Sequence, residues 1–201
     1  MSDINSIFPT PVYFEDLKRK FTKGELDFIK KLKSNVVNNT GNIMTKDTYI
    51  LNAPPFKKLK KDLNVMVKDY FNKIVCAKDI TPYITQSWLN YTRQNQFHHR
   101  HSHANSFVSG VLYMGVDSKV DRIYFYNKYQ PIIKVEISEY NLHNSPSWWF
   151  PISSGLVVMF PSDTIHEVKS KEKDNERISL AFNVFIKGTL GNARELTELK
   201  I

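Results

Sequence analysis

Histidines are concentrated in one short stretch of this sequence. Four of the six fall within Phe97-His98-His99-Arg100-His101-Ser102-His103, and His166 follows an apolar run much later in the chain. A neutral imidazole nitrogen donates a lone pair to a transition metal at physiological pH. If the stretch is a β-strand, residues two apart point to the same face. His101 and His103 could then bind one metal ion together with His166 from a second strand.

The residues alone leave two alternatives to this metal site open. His99 and His101 are also two apart, so the pair that binds the ion could be shifted by one step along the strand. The cluster could also be a surface feature that holds no metal, or only an adventitious zinc ion.

Composition predicts an ordinary soluble globular protein. The chain has 201 residues, of which 41% are hydrophobic and 24% charged, typical of one domain with a sizeable core. No apolar stretch approaches the roughly 18 residues of a membrane span, and the N-terminus does not resemble a secretory signal. Cys76 is the single cysteine, which favours a reducing, cytoplasmic location without disulfides.

The chain is basic, with a formal net charge of +8. Such a charge can favour anionic partners, including nucleic acid. Much of the excess, however, lies in Lys57-Lys58-Leu59-Lys60-Lys61, which is typical of the solvated face of a helix. A nucleic-acid partner is therefore not favoured.

The spacing of apolar residues predicts helices first and strands later. An extended arm over 1–20 precedes an amphipathic helix over 23–38, which begins with a capping box at Thr22 and Glu25. Pro54-Pro55 opens a second helix, whose apolar face runs from Leu59 to Ile74. Short segments rich in β-branched and aromatic residues follow and predict strands, at 82–92, 106–116, 121–127, 131–138, 155–160, 165–170 and 177–186.

These elements predict a mainly β protein with N-terminal helices and a jelly-roll core. The expected organisation is a single domain over 1–201. Residues 1–80 form an arm and helices that pack on the barrel, residues 81–190 form the barrel, and residues 191–201 form a short helix or tail.

Several motifs together resemble a known family, the Fe(II)- and 2-oxoglutarate-dependent dioxygenases. Within it, the chain is similar to a bacterial and phage group with the pattern H-x-H-x-x-S, S-G-x-x-Y, F-P-S, H, R-x-S and F-N. The matching stretches in this sequence are His101-Ser102-His103-Ala104-Asn105-Ser106, Ser109-Gly110-Val111-Leu112-Tyr113, Phe160-Pro161-Ser162, His166, Arg177-Ile178-Ser179 and Phe182-Asn183. Near the start of the chain, Ile7-Phe8-Pro9-Thr10-Pro11 also resembles the opening of that group.

The resemblance implies a double-stranded β-helix (the cupin-like jelly roll) with Fe(II) held by His101, His103 and His166. The cosubstrates would be 2-oxoglutarate and dioxygen, and zinc or nickel could replace iron in a purified sample. No catalytic residue beyond the metal centre is implied. The expected activity is that of a dioxygenase of the hydroxylase type, which releases succinate and carbon dioxide.

The same resemblance implies which side chains bind the cosubstrate. Arg177 would bind its distal carboxylate, because a planar guanidinium offers paired donors, and Ser179 would add a hydroxyl donor. Tyr91 and Tyr113 match positions of cosubstrate-binding tyrosines, although core aromatics are almost as common there. Weaker candidates for contact with the substrate are His98, Asn105 and Trp149.

One position departs from the better-known pattern. Most such oxygenases have H-x-D or H-x-E, whereas this chain has His103 in place of the carboxylate. Three histidines are also a catalytic zinc arrangement that activates water. The alternatives to an oxygenase are therefore a metal-dependent hydrolase and a cupin-like metal-binding or interaction protein. The primary substrate (a protein side chain, a nucleobase or a small metabolite), the native metal and the oligomeric state stay open.

Overall fold

A computed structural model describes residues 3–129 and 132–201 of the chain. In these ranges there are two α-helices, α1 (Lys23–Leu32) and α2 (Lys57–Tyr70), and α2 continues as a π-helical turn over Phe71–Val75. Short 3-10 turns lie at Ile50–Asn52, Pro54–Phe56 and Ala193–Glu195. The strands of the described residues are β1 (Tyr13–Asp16), β2 (Val36–Asn39), β3 (Asn42–Thr45), β4 (Ile80–Thr92), β5 (His98–His101), β6 (Val108–Gly115), β7 (Arg122–Tyr126), β8 (Ser147–Pro151), β9 (Leu156–Pro161), β10 (His166–Val168), β11 (Arg177–Leu190) and β12 (Leu199–Lys200).

The strands form two antiparallel sheets. The larger sheet has the order β1-β9-β6-β11-β4-β3-β2, with β12 added to the end of β11. The smaller sheet has the order β5-β10-β7-β8. This pair of sheets is a double-stranded β-helix, so the predicted mainly β fold with a jelly-roll core is confirmed.

Both helices lie against the larger sheet. The hydroxyl of Thr22 accepts from the amide of Glu25, whose carboxylate accepts from the amide of Thr22, so the predicted capping box begins α1. The apolar face of α2 is fully buried in the main core, as Leu59 and Leu63 show. Burial of such a face is what stabilises short helices in proteins.

The predicted helix over 23–38 is wrong beyond Leu32. A turn follows α1, and Val36–Asn39 pairs with Asn42–Thr45 as a hairpin whose second strand continues the sheet beside β4. The connecting turn contains Gly41 at a φ of 90°, a conformation that favours glycine. Pairing with distant strands therefore overrides the helical spacing of Val36.

The predicted strand over 131–138 is also not formed. Pro131 lies outside the described residues, and residues 132–138 contain no strand. Ile132, Ile133 and Val135 are exposed, because no strand lies beside them to cover their side chains. Strand β7 pairs with β10 on one side and with β8 on the other. The sequence did not predict a strand for the segment of β8, which contains Trp148.

The other predicted strands are confirmed with shifts of a few residues at their ends. The C-terminal segment forms a 3-10 turn and the short β12. No helix of the described residues is long and apolar enough to cross a membrane.

Candidate metal centre

Strand pairing brings the distant histidines together. His101 on β5 is the direct antiparallel partner of His166 on β10, and their ring centroids are 4.3 Å apart. His103 follows β5, where its amide donates to the carbonyl of Ser162 at 2.8 Å. Its ring centroid lies 4.9 Å from that of His101 and 5.4 Å from that of His166. Two remote parts of the chain thus meet at one point.

The three rings, here called the histidine triad, have the geometry of a metal site. One ring nitrogen from each of His101, His103 and His166 lies within 4.8 Å of the others. A single ion bound by three imidazoles requires such convergence, because metal–nitrogen distances are about 2.0–2.1 Å.

Hydrogen bonds define the tautomer of each ring in the triad. Nδ1 of His101 lies 2.7 Å from the carbonyl oxygen of His99, and Nδ1 of His166 lies 3.0 Å from that of Thr164. Nδ1 of His103 lies 2.8 Å from Oδ1 of Asn183. These oxygens only accept, so each Nδ1 is the donor. Nε2 of every ring therefore keeps its lone pair for a metal, as metal-binding histidines require.

Burial keeps the triad neutral. Desolvation, helped by the neighbouring rings, lowers the pKa of His101 to about 4 and that of His166 to about 3. The pKa of His103 is lowered by the same desolvation, although its bond to Asn183 opposes the change. Neutral imidazole is the form that binds a metal, so the site offers three lone pairs at neutral pH.

The triad lines a cavity between the two sheets, here called the histidine cavity. Its other lining residues include His98, Trp88, Asn90, Gly110, Tyr113, Ile123, Phe160 and Ser179. The space beside Gly110 is filled by the ring of Phe182, which would lie 2.1 Å from an added Cβ. A larger residue at Gly110 would therefore push this ring out of place.

Tyr113 and Arg177, two of the predicted cosubstrate-binding residues, are both buried. The hydroxyl of Tyr113 and Nη2 of Arg177 have no hydrogen-bond partner among the described residues. Desolvation raises the pKa of Tyr113, and the charge of the nearby Arg177 opposes that change. Buried polar atoms without partners cost free energy. A carboxylate in this part of the barrel would satisfy both.

Arg177 already has one partner. Its Nη1 donates to Oδ1 of Asp121 at 3.1 Å, and the same carboxylate lies 3.5 Å from Nζ of Lys171. All three side chains are buried. Glu176, the neighbour of Arg177 in the sequence, pairs with Lys33 and Arg93 instead.

Tyr91 lies outside the cavity. Successive residues of β4 point to opposite faces of the sheet, and Asn90 rather than Tyr91 lines the cavity. The ring of Tyr91 is buried in the main core, and its hydroxyl donates to the carbonyl of Ile29 in α1 at 2.7 Å. We therefore do not retain Tyr91 among the candidate cosubstrate contacts.

Two of the other four predicted site residues line the histidine cavity and two do not. Ser179 and His98 line the histidine cavity, and desolvation lowers the pKa of His98 to about 2. Asn105 is exposed at a φ of 53° and does not line the cavity. Trp149 is exposed on β8, with its ring beneath the guanidinium of Arg122.

Four polar residues were given no role from the sequence. Asn183 belongs to the F-N pair of the family pattern, but only the fold shows that it contacts His103. Asn90 lines the cavity, and its Oδ1 is buried without a partner among the described residues. Asp121 and Lys171 surround Arg177. An isolated acid and a lysine in loops carry no sequence signal for such burial.

A second group of histidines shares one member with the triad. Ring nitrogens of His98, His99 and His101 also lie within 4.8 Å of one another. This group contains His99 and His101, the pair of the alternative register, together with His98. The triad is the more buried of the two, because His166 is 5% exposed whereas all members of the second group are half-buried.

The donor set therefore fits a transition metal. Three neutral imidazoles with free Nε2 atoms suit iron, nickel or zinc, and the unpartnered Tyr113 and Arg177 suit an anionic ligand nearby. The fold and the site together define a double-stranded β-helix protein with a candidate metal centre between its sheets.

About half of the chain matches a family of known proteins. Residues 86–183 match the family described as "Putative 2OG-Fe(II) oxygenase". This region contains the triad, Arg177 and Asn183. Through this region the chain is similar to the 2OG-Fe(II) oxygenases, and the resemblance that its motifs indicate is confirmed. No curated protein sequence matches the chain.

Several solved structures have a fold similar to that of this chain. HygX from Streptomyces hygroscopicus, with nickel, 2-oxoglutarate and hygromycin B bound, is 13% identical with a TM-score of 0.58, over 87% of this chain and 82% of that chain. A Pseudomonas putida prolyl-4-hydroxylase is 13% identical with a TM-score of 0.56, over 87% and 92%. The epimerase SnoN, in complex with Fe3+, alpha ketoglutarate and nogalamycin RO, is 8% identical with a TM-score of 0.61, over 94% and 86%. At these identities the likeness establishes the fold.

Proposed function

We propose that this protein is a non-haem Fe(II)- and 2-oxoglutarate-dependent oxygenase of the hydroxylase type. The observation that carries the proposal is the convergence of three histidines whose Nδ1 atoms are all occupied by oxygen acceptors. His101, His103 and His166 would hold the metal through Nε2. Fe(II) bound there would supply the redox chemistry by which dioxygen and 2-oxoglutarate give succinate, carbon dioxide and an oxidised substrate.

The protein's own residues bind and orient the cosubstrate. Arg177 and Tyr113 would donate to its distal carboxylate, which removes the cost of their unpartnered buried atoms. Ser179 and Asn90 line the same cavity and offer further polar contacts. A second negative charge on the cosubstrate is favoured by a triad of neutral ligands, since none of them offsets the charge of the ion.

Apolar walls exclude water from the reacting groups. Ile123 and Phe160 are fully buried beside the triad, and Trp88 stacks on His103 with ring centroids 5.9 Å apart. A dry cavity limits side reactions at the metal. Holding and orienting the reactants is the protein's principal contribution in enzymes whose cofactor supplies the chemistry.

The proposal that the reaction is a hydroxylation is more specific than the proposal that the protein is an oxygenase. Support comes from the prolyl-4-hydroxylase among the proteins of similar fold. The alternative reaction is epimerisation, because SnoN has a similar fold and is an epimerase. A product that is heavier than its substrate by one oxygen atom supports hydroxylation, whereas an isomer of unchanged mass contradicts it.

We also propose that residues 1–80 form one domain with the barrel. The hydrogen bond from Tyr91 to Ile29 and a core shared by α2 and the larger sheet support this organisation. Limited proteolysis should then yield no stable fragment confined to residues 81–190.

The direct test is conversion of 2-oxoglutarate to succinate. The purified protein, reconstituted with Fe(II) in air, is expected to release succinate above a chelator-treated control, and Arg177→Met should reduce the release strongly. Absence of succinate with every candidate substrate would contradict the proposal. Turnover that is independent of 2-oxoglutarate would instead identify a metal-dependent hydrolase, the alternative favoured by a three-histidine site.

A further inference from the structure

One side of α2 carries a row of lysines that lines an open groove, here called the lysine groove. Its volume is about 690 Å³, within the range of ligand sites. The positions that α2 contributes recur every three or four residues, so they share one face of the helix. The lining residues are Leu51, Asn52, Pro54, Lys57, Lys60, Lys61, Asn64, Val65 and Lys68.

The acidic residues of α2 do not offset the charge of these lysines. Asp62 and Asp69 are the two acids of the helix, and both have cationic partners outside the groove. Asp62 pairs with Arg19 at 2.6 Å, and Asp69 pairs with Lys73 at 2.7 Å. Within the described part of the chain, no Asp or Glu lines the groove. A concave surface lined by one sign of charge raises the local concentration of oppositely charged ligands.

The lysine groove also offers apolar and neutral polar surface. Val65 is 63% exposed, and Pro54 is exposed beside it in the groove. Nζ of Lys60 donates to Oδ1 of Asn52 at 2.7 Å, and this neutral partner orients the lysine without cancelling its charge. A ligand that combines repeated negative charges with uncharged parts therefore matches the groove better than a single small anion does.

The mouth of the histidine cavity, in contrast, is uncharged. The mouth has a volume of about 340 Å³ and shares Trp88, His98, His101 and His103 with the cavity. Among the described residues that line it, there is no Lys, Arg, Asp or Glu. A charge that enters the mouth would lose hydration without gaining an ionic partner. The part of a substrate that reaches the triad this way is therefore expected to be neutral.

A short segment connects the mouth to the lysine groove. Thr48 lines the mouth, whereas Leu51 and Asn52 line the groove. Four residues span at most about 14 Å, so one chain-like ligand can occupy both places. The same segment contains Tyr49, which is 51% exposed. Exposed aromatic rings beside basic grooves are stacking surfaces for unpaired bases.

We propose that the primary substrate is a single-stranded nucleic acid, whose phosphates lie along the lysine groove and whose base enters the uncharged mouth. The inference rests on the proposed function and deepens it by naming the substrate class. The run 57–61 alone is typical of a solvated helix face. The groove, the engaged acids of α2 and the neighbouring neutral mouth together favour a polyanion with neutral bases. The reaction would be the hydroxylation proposed above, in which R–H, dioxygen and 2-oxoglutarate give R–OH, succinate and carbon dioxide.

Fluorescence anisotropy tests the binding part of the proposal. The Ni(II)-loaded protein is titrated with labelled single strands of DNA and of RNA of about twelve nucleotides, at several salt concentrations between about 50 and 200 mM. The variant with Lys57→Gln, Lys61→Gln and Lys68→Gln is expected to bind roughly tenfold or more weakly. Its slope of log K against log salt should be smaller by about 2, because three phosphate contacts are lost.

The matched control removes three exposed lysines from α1, with Lys23→Gln, Lys30→Gln and Lys31→Gln. Both variants lose three positive charges from the same total of +8, so equal weakening in the two would reflect net charge alone and would overturn the inference. Tyr49→Ala should also weaken binding, whereas Tyr140→Ala, another exposed tyrosine, should not.

Turnover by the Fe(II)-loaded protein tests whether the bound strand is the substrate. The single strand should stimulate succinate release and gain the mass of one oxygen atom. Binding without any such product, or a preference for duplex or for vesicles of phosphatidylserine over the single strand, would overturn the inference. Failure of the Ni(II)-loaded protein to bind 2-oxoglutarate, with binding of the single strand intact, would instead overturn the proposed function and leave the groove as a nucleic-acid site.

Discussion

Nδ1 of His103 lies 2.8 Å from Oδ1 of Asn183, and this contact joins the histidine triad to the central strand of the larger sheet. Asn183 lies on β11, the strand that also carries Arg177 and Ser179. The strand therefore positions both the third candidate metal ligand and the candidate cosubstrate contacts. Its two neighbours, β4 and β6, hold it along most of its length.

Removal of the Asn183 acceptor should weaken metal binding. Asn183→Ala frees the ring of His103 to rotate and to change tautomer, and losses of about 10–100-fold in metal affinity are typical for such partners. Asn183→Asp keeps an acceptor and should bind close to wild type. Titration calorimetry with Ni(II) measures both, and Asn38→Ala, an exposed site on β2, is the control. Equal affinity of all four proteins would show that Asn183 does not orient the ligand.

The two overlapping histidine groups can be separated by substitution. If the triad holds the metal, His103→Ala and His166→Ala should each reduce Ni(II) affinity by at least 100-fold. His99→Ala, in the second group only, should have a small effect, and the exposed His143→Ala should have none. A large loss in His99→Ala with retention in His166→Ala would assign the metal to the second group instead.

The sequence was sufficient to predict the triad but not the whole cavity. Alternation along a strand and the family pattern together pointed to His101, His103 and His166. Because side chains alternate between the two faces of β4, Asn90 and Tyr91 must point in opposite directions. The sequence does not show which of these faces meets the helices and which faces the cavity. Lys171 lies in a loop, and Asp121 precedes β7 although the predicted strand over 121–127 includes it. The sequence gives no periodic pattern that would indicate the burial of these two side chains beside Arg177.

The fold was predictable where local patterns and long-range pairing agree. The capping box predicted at Thr22 does begin α1. The strands β6 and β9 were predicted from their apolar and β-branched residues. The β2–β3 hairpin was missed because its sequence continues a helical spacing. The segment 132–138 has strand-like composition but no strand pairs with it, and pairing between distant segments cannot be read from composition.

The two predicted tyrosines should behave oppositely. Tyr91→Phe removes the hydrogen bond to Ile29 and should lower the free energy of unfolding by about 0.5–1.5 kcal/mol, with unchanged 2-oxoglutarate affinity. Tyr113→Phe removes a hydroxyl with no partner among the described residues, so it should not lower stability but should weaken 2-oxoglutarate binding. Urea unfolding and calorimetry measure the two effects. Weaker 2-oxoglutarate binding in Tyr91→Phe but not in Tyr113→Phe would show that Tyr91, and not Tyr113, contacts the cosubstrate.

Stability of the metal-free protein should fall as the pH is lowered. The pKa values of His101 and His166 are about 4 and about 3 in the folded state, below the value of about 6.5 for an unfolded chain. Between these values the unfolded state binds protons that the folded state does not, so acid favours unfolding. The urea midpoint is expected to decrease steadily from pH 7 to pH 4.5. Replacement of both residues by Gln should flatten this decrease, and an equally steep decrease in that variant would contradict the assignment.

The most direct test of the three-histidine site is visible absorption of the anaerobic protein with Fe(II) and 2-oxoglutarate. If His101, His103 and His166 hold the ion and Arg177 holds the cosubstrate on it, a weak charge-transfer band should appear and saturate at one 2-oxoglutarate per protein. The band should be lost in His103→Ala and His166→Ala, and Arg177→Met should require a higher 2-oxoglutarate concentration. Absence of the band in a wild-type protein that has bound Fe(II), or its persistence in His166→Ala, would contradict the site.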